Sequence, residues 1–303
     1  MVVLDMKARV LALANYPTYD LNALVSGGPD AIAILSDERN LLLNYGIHAR
    51  GTPGSIFKMV AGYGALAEGE LLPDELISDQ GYYTQYNSDL STAPKCWINL
   101  NYIKRHANQT IVEGLTNSCN YFFYELGNRM TWEHLNEVAA AFGLGEPTGI
   151  ELLEKVGHRS NEESKKASYT TAVNQQWSAG DRVLTGIGQA ENRFTPLQLC
   201  VYASTIANKG TRMKATFLNR VVSSDYRSLV YENEPEMISD LKISDATYDA
   251  YVEGMVNVIS GPRGTARETM KGLNVTVAGK TGTAQTGMLG SDHGAFVCFA
   301  PAE

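Results

Sequence analysis

Residues 275–284 read Val-Thr-Val-Ala-Gly-Lys-Thr-Gly-Thr-Ala; Val275 to Ala278 is strand-like, and a Gly- and Thr-rich stretch follows it. A second strand-like run, Ala295 to Ala300, lies beyond that stretch. At the other end of the chain, Val2 to Asp5 and Val10 to Ala14 are short apolar runs around the turn-like Met6-Lys7-Ala8-Arg9, which predicts a β-hairpin. Between these ends the apolar period is helical. Ile56 to Glu68 follows the breaker pair Pro53-Gly54, so residue 55 is expected to open a helix. Trp132 to Phe142 is a second helical run, closed by Gly143-Leu144-Gly145. A third starts at Thr195-Pro196-Leu197-Gln198 and stops near Asn208, before Lys209-Gly210, and Asp245 to Ile259 is a fourth. Val221 to Asp225 and Leu229 to Glu232 read as a small exposed hairpin. Strands at both ends and helices in the middle predict an α+β fold whose sheet is assembled from distant segments. The strand-bearing lobe is expected over about 1–55 and 210–303, and a mostly helical lobe over about 60–175.

The 303 residues suffice for one large core or two lobes sharing a cleft, with no internal repeat or low-complexity linker to divide them. The hydrophobic fraction of 44% and charged fraction of 19% exclude disorder and fibrous repeats. A net charge of -8, without an opposing Lys/Arg cluster, excludes a phosphate-tracking surface, and no nucleic-acid partner is expected. The four cysteines, Cys96, Cys119, Cys200 and Cys298, lie far apart, with neither CxxC nor Cys/His spacing. They are therefore expected to be unpaired and buried, with no metal site and no cofactor. No run approaches the roughly 18 to 20 apolar residues that span a bilayer, and the N-terminus lacks the basic flank of a signal peptide.

Three short patterns carry candidate chemistry. Pro53-Gly54-Ser55-Ile56-Phe57-Lys58 puts Ser55 and Lys58 three residues apart on one helix face. A serine hydroxyl needs a base within reach to act as a nucleophile, a desolvated lysine can be that base, and the helix N-terminus favours the developing alkoxide. Alone the pattern is weak, since about one Ser-x-x-Lys is expected by chance in 300 residues, and a second copy, Ser239 to Lys242, lacks the Pro-Gly lead. Ser118-Cys119-Asn120 precedes the aromatic run Tyr121 to Tyr124; Ser118 could relay a proton and Asn120 could bind a substrate amide and the lysine, although a polar turn or helix cap fits it as well in isolation. Gly279-Lys280-Thr281-Gly282-Thr283-Ala284 offers Lys280 and Thr281 to a carboxylate, Gly282 for close approach to the strand, and the Thr283 amide as an oxyanion donor beside that of Ser55. It is expected on or beside a strand, although by itself it also reads as a loop or phosphate-binding turn, without the glycine spacing of a P-loop.

Ser-x-x-Lys, Ser-x-Asn and Lys-Thr-Gly in this order resemble the penicillin-recognising serine enzymes. The surrounding residues are similar to the transpeptidase domain of penicillin-binding proteins, in particular the monofunctional class B type: Ala12 to Ala14 with Pro17 to Asn22, Arg50 to Lys58, Gly188-Gln189 with Thr195 to Gln198, Gly261 to Ala266, and Phe296 to Pro301. The resemblance covers essentially the whole chain. It implies a central antiparallel sheet of about five strands flanked by helices, with a helical lobe forming the other wall of a cleft. That family normally continues with another central strand and a terminal helix, and carries an N-terminal membrane anchor and a non-catalytic domain, so the chain reads as a fragment of one extracytoplasmic, membrane-associated protein.

The resemblance further implies a D,D-transpeptidase that cross-links peptidoglycan stem peptides and is acylated by β-lactams. Ser55 is the implied nucleophile and Lys58 its base; Ser118 and Lys280 pass the proton to the departing D-alanine; Lys280, Thr281 and Thr283 bind the terminal carboxylate. Glycosyltransferase and division or elongation proteins are the implied partners of the full-length protein. A serine β-lactamase is the alternative, but Glu133 and Asn136 are one residue too close for its Glu-x-x-x-Asn pattern and read as a solvent-exposed helix face. A non-enzymatic β-lactam sensor or scaffold is a further one, against which the intact motifs speak. His293, Tyr82, Tyr83, Tyr86 and Trp97 are expected to pack or to line the cleft rim.

Overall fold

The computed structural model describes residues 1–99, 105–284 and 292–302. The chain opens with the expected hairpin, β1 (Val2–Leu4) and β2 (Val10–Leu13), turned by Ala8 at φ 58°. The expected small hairpin is also present, as strands Arg220–Val222 and Leu229–Glu232, and it is mostly exposed. Near the end of the chain, strands Ala278–Ala284 and His293–Phe299 pair antiparallel, with Lys280 opposite Val297 and Thr283 opposite Gly294.

The helix Lys58–Ala67 is the centre of the molecule. Seven of its residues are buried, including Lys58, because it is covered by Asn120–Arg129 on one side and Trp132–Ala141 on another. Tyr121, Phe122, Phe123 and Tyr124 from Asn120–Arg129 fill the main core together with Met59, Val60, Phe142 and Tyr202. Thr195 and Gln198 form a capping box that starts the helix Pro196–Ala207, as its Pro at the first turn suggests. That helix packs against both β1 and the His293–Phe299 strand, while Asp245–Ser260 packs against Ala278–Ala284. Strands from both chain ends thus converge on helices from the middle, which is an α+β arrangement.

Two expectations need correction. The Ser55 segment is a 3-10 turn, Gly54–Phe57, and the α-helix begins only at Lys58. Gly54 sits at φ +53°, and a Cβ there would lie 2.4 Å from the Thr283 carbonyl oxygen, so the turn is pressed against a strand and winds tightly. Second, the strand expected over Val275 to Ala278 begins only at Ala278, and it runs through the Gly- and Thr-rich stretch to Ala284. Glycine disfavours strands locally, but pairing along its whole length with residues 293–299 overrides that preference.

The strands of the described residues form two-stranded pairs, and a continuous five-stranded sheet is not formed by them. The β1–β2 pair and the pair formed by residues 278–284 and 293–299 both lie on Pro196–Ala207, without ladder hydrogen bonds joining one to the other.

Candidate active site

The Ser118 hydroxyl is placed by a helix end. The helix Ile111–Thr116 is capped at its start by Thr110 and Glu113. At its other end the Ser118 amide bonds to the Leu115 carbonyl at 3.2 Å and the Cys119 amide to that of Gly114 at 3.1 Å, the paired bonds of a Schellman motif. The motif requires a left-handed residue, and Ser118 occupies that position at φ 52°, where glycine is the usual choice. Cys119 then begins the next helix, its Sγ accepting from the Phe122 amide, so Asn120 lies in the first turn of Asn120–Arg129. Trp97 Nε1 braces the strained turn, donating to the carbonyls of Asn117 at 3.1 Å and Ser118 at 3.0 Å. Sequence reasoning treated Trp97 as packing; only its contact across 20 residues reveals the bracing role.

Two lysines meet at this serine. Lys280 Nζ donates to Ser118 Oγ at 2.8 Å and to the Thr281 carbonyl at 3.2 Å. Lys58 Nζ donates to Asn120 Oδ1 at 2.7 Å, to the Ser118 carbonyl at 2.8 Å and to Ser118 Oγ at 3.3 Å, over the face of Phe123. Both lysines are 0% exposed. Burial lowers the Lys58 amine to about 8, and burial together with the Lys58 charge holds Lys280 well below the usual lysine range. Their partners are neutral oxygens, so the protein keeps two amines in one dry place where a neutral, proton-accepting form is favoured.

Ser55 is half-buried, and its hydroxyl forms no hydrogen bond among the described residues; the Lys58 amine, three residues on, is engaged instead by Ser118 and Asn120. The turn that carries Ser55 is wedged between two backbones. A Cβ on Gly188 would lie 2.1 Å from the Gly54 carbonyl oxygen, and one on Gly282 would lie 2.7 Å from that of Pro53. The Gly54 amide donates to the Gly188 carbonyl at 3.1 Å. Gly282 therefore admits the Ser55 turn itself, where the sequence pointed to ligand approach. Along the strand, Lys280 and Gly282 share the buried face, and Thr281 and Thr283 alternate to the other. Thr281 Oγ1 meets Thr265 Oγ1 at 2.7 Å, and Gln189 reaches the Thr283 carbonyl at 3.4 Å. Thr265 belongs to Gly264-Thr265-Ala266, noted in the sequence only as a family resemblance.

Behind Ser118 the fold corrects the reading of the cysteines as unrelated thiols with no metal-binding arrangement. Ligand atoms of Asp79, Cys96, His106 and Cys119 all lie within 4.8 Å of one another, and all four residues are buried. His106 Nδ1 is 3.3 Å from Asp79 Oδ2 and 3.4 Å from Cys96 Sγ; the two sulfurs are 3.7 Å apart, and Cys119 Sγ is 3.8 Å from Asp79 Oδ2. A tetrahedral zinc ion bound by oxygen, nitrogen and two thiolates needs separations of about 3.3–3.8 Å. The hydrogen bond from Cys119, followed by that with His106, holds the Cys96 thiol down to about 5 against the opposing effect of burial, while burial pushes Cys119 up. The donor set fits a closed, structural site; its spacing in sequence follows no zinc pattern because the ligands come from four separate segments. Cys200 is half-buried and Cys298 exposed, so the expectation of burial fails for Cys298.

The remaining candidates stay apart from this group. Glu133 is exposed, but Asn136 is half-buried and donates to the Trp132 and Ser160 carbonyls at 2.8 Å, so the face is not wholly solvent-exposed. Ser239 donates to the Ala141 carbonyl and Lys242 pairs with Asp240, so the second Ser-x-x-Lys does not build a site. Tyr83 is buried in a cluster with Tyr86, Tyr121 and Tyr124; Tyr82 stacks its ring under Lys95; His293 is an exposed strand residue opposite Ala284.

A serine on a tight helical turn, three residues before one of two buried lysines that share a second serine, is the arrangement of an acyl-transfer type of site. The model of the penicillin-binding protein transpeptidase domain matches residues 1–303, and the chain belongs to that family. It is 29% identical over 319 residues to the peptidoglycan D,D-transpeptidase MrdA of Haemophilus influenzae, covering 99% of this chain and 47% of that protein. Among solved structures, PBP2 of Pseudomonas aeruginosa in complex with WCK 5153 superposes with a TM-score of 0.83 at 27% identity, over 99% of this chain and 65% of the other. PBP2 of Helicobacter pylori, in its complex with MreC, gives 0.81 at 27% identity, over 99% and 53%. The chain spans about half the length of the curated relatives it matches. These PBP2 likenesses agree with the class B type expected from the sequence.

Proposed function

We propose that the chain is the catalytic domain of a peptidoglycan D,D-transpeptidase working through a Ser55 acyl-enzyme. The observation that supports this most directly is the convergence of Lys58 and Lys280 on Ser118 Oγ. In this reading neutral Lys58 takes the Ser55 proton as Oγ attacks the carbonyl between the last two D-alanines of a donor stem peptide. The amides of Ser55 and Thr283 hold the oxyanion. The C–N bond breaks, and the proton passes through Ser118, flanked by both amines, to the leaving D-alanine nitrogen. Asn120 orients the Lys58 amine and a substrate amide, and Thr281 and Thr283 with Lys280 receive the terminal carboxylate. An acceptor amine then attacks the ester, forming a new amide and returning a proton to Ser55 Oγ. β-Lactams enter the same first step.

A cation at Asp79, Cys96, His106 and Cys119 would cross-link the segments that hold Ser118 and Asn120, a structural contribution with no open ligand position. A lactamase reading lacks support: Glu133 is exposed, and Lys58 and Lys280 bond among the described residues to neutral oxygens, with no carboxylate among them to activate water.

We further infer that residues 1–303 work as one domain, and that one additional strand between β1 and residues 293–299 would complete the family's five-stranded sheet, since both already lie on Pro196–Ala207. No helix among the described residues is long and apolar enough to cross a membrane. The complex of Helicobacter pylori PBP2 with MreC supports an elongation-type partner for this chain, and the same reading puts it on the extracytoplasmic face with a glycosyltransferase partner.

The test is labelling by a fluorescent penicillin alongside Ser55→Ala, followed by denaturation. Persistent covalent label in the parent and none in the variant is expected. Rapid turnover of label would point to a lactamase, and absence of label on folded protein would remove Ser55 as nucleophile.

A further inference from the structure

Cys96 and Cys119 are 23 residues apart in sequence, yet their sulfurs lie 3.7 Å from one another and both residues are 0% exposed. The other two cysteines are placed differently: Cys200 donates to the Val2 carbonyl at 3.6 Å, and Cys298 is exposed. Disulfide sulfurs are about 2 Å apart, so the buried pair has about 1.7 Å left to close, a distance within the reach of side-chain rotation.

The two segments that carry this pair are also the ones that hold Ser118. Cys96 directly precedes Trp97, which donates to the carbonyls of Asn117 and Ser118. Cys119 lies between Ser118 and Asn120, and its Sγ accepts from the Phe122 amide at 3.5 Å as the cap of Asn120–Arg129. Drawing that sulfur toward Cys96 takes it off the cap and turns the backbone that presents Ser118 Oγ and Asn120 Oδ1 to Lys58. A small oxidant can approach past Trp97, which is 43% exposed; its ring centroid lies 5.5 Å from that of His106, the neighbour of Cys96 Sγ.

We propose that Cys96 and Cys119 are a site of reversible oxidation by peroxide, and that the disulfide they form turns the adjoining site off by displacing Ser118 and Asn120. One thiol sulfur attacks the peroxide O–O bond, which breaks to give a sulfenic acid and one water. The second sulfur attacks the sulfenic sulfur, forming the S–S bond and releasing a second water. The two thiols give up two electrons and two protons, and one peroxide is reduced to two waters. A cation shared by the two sulfurs is released as the bond forms, because neither remains a thiolate. The thiol chemistry stands by itself; its effect on acylation rests on the transpeptidase reading.

The test is titration of the 303-residue protein with hydrogen peroxide, in the parent and in a Cys200→Ser, Cys298→Ser variant that silences the other thiols. Intact mass, peptide mapping, circular dichroism and the rate of labelling by a fluorescent penicillin are followed together. A loss of about 2 Da is expected in both proteins, with one cross-linked peptide pair joining Cys96 to Cys119. Labelling should slow about tenfold with the circular dichroism unchanged, and dithiothreitol should reverse both the cross-link and the slowing. Oxygen added to single cysteines without the cross-link, a cross-link that leaves labelling unchanged, or loss of the folded circular-dichroism signal overturns the proposal. A cross-link that forms in protein whose reduced state takes no label at all overturns the transpeptidase reading and leaves the thiol chemistry standing.

Discussion

Lys280 Nζ lies 2.8 Å from Ser118 Oγ, although 162 residues separate them and no carboxylate among the described residues pairs with the amine. Ser118 accepts from Lys280 and, at 3.3 Å, from Lys58, so its own proton is free to be passed on. Replacing Lys280 by Gln should lower the second-order rate of penicillin acylation by about 10²–10⁴, the usual contribution of a positioned proton-transfer group. Stopped-flow acylation kinetics check this; a drop of less than threefold would leave Lys280 without a part in proton transfer.

Lys58 titrates near 8 because it is buried. If its neutral form is the base, acylation by a neutral penicillin ester should rise with pH to a plateau, with a midpoint near 8. Stability moves the same way. A lysine with a depressed folded pKa binds its proton more tightly when unfolded, so its contribution is fully present above about 10.5 and is lost as pH falls through about 8. Lys280, lowered further, has a window that reaches to lower pH. Urea midpoints should therefore rise between pH 7 and 10, and Lys58→Met should flatten that rise while abolishing acylation.

Ser118 adopts φ 52°. Ser118→Gly and Ser118→Ala both remove the hydroxyl, but only glycine relieves the left-handed backbone. The glycine variant should be more stable than the alanine variant by about 1 kcal/mol, the reverse of helix propensity, with both inactive in acylation. Equal denaturation midpoints would mean the turn is not strained.

Gly188 lies against the Ser55 turn, where a Cβ would come 2.1 Å from the Gly54 carbonyl. Gly188→Ala should push that turn away from the Ala278–Ala284 strand, cutting acylation at least tenfold. Gly28→Ala serves as comparison: its φ is also positive, but nothing lies within 4 Å, so backbone strain alone cannot account for the difference. A similar loss of acylation in both variants would argue against the wedge.

Asp79, Cys96, His106 and Cys119 supply a carboxylate, an imidazole and two thiols within 4.8 Å of one another. One equivalent of zinc is expected on metal analysis of protein purified without chelator, and a strong chelator should lower the Tm. Cys96→Ser should lose both the metal and the chelator response, whereas Cys200→Ser should keep both.

Local rules made the outer hairpin, the helices 132–141, 196–207 and 245–260 and the order of the three catalytic patterns legible, because caps, glycine stops and apolar periods act within a few residues. Ser55, Lys58, Ser118 and Lys280 could be picked as candidates from their spacing and neighbours. Only the tertiary structure decided that the strand starts at Ala278 and runs unbroken through Gly279 to Ala284, since its glycines speak against one until residues 293–299 pair with it. The same holds for the Gly54–Phe57 turn, for Trp97 as a brace, and for the four-ligand cluster around Cys119. Each depends on backbones or side chains brought within about 4 Å from distant segments, and a one-dimensional spacing carries no information about such an approach.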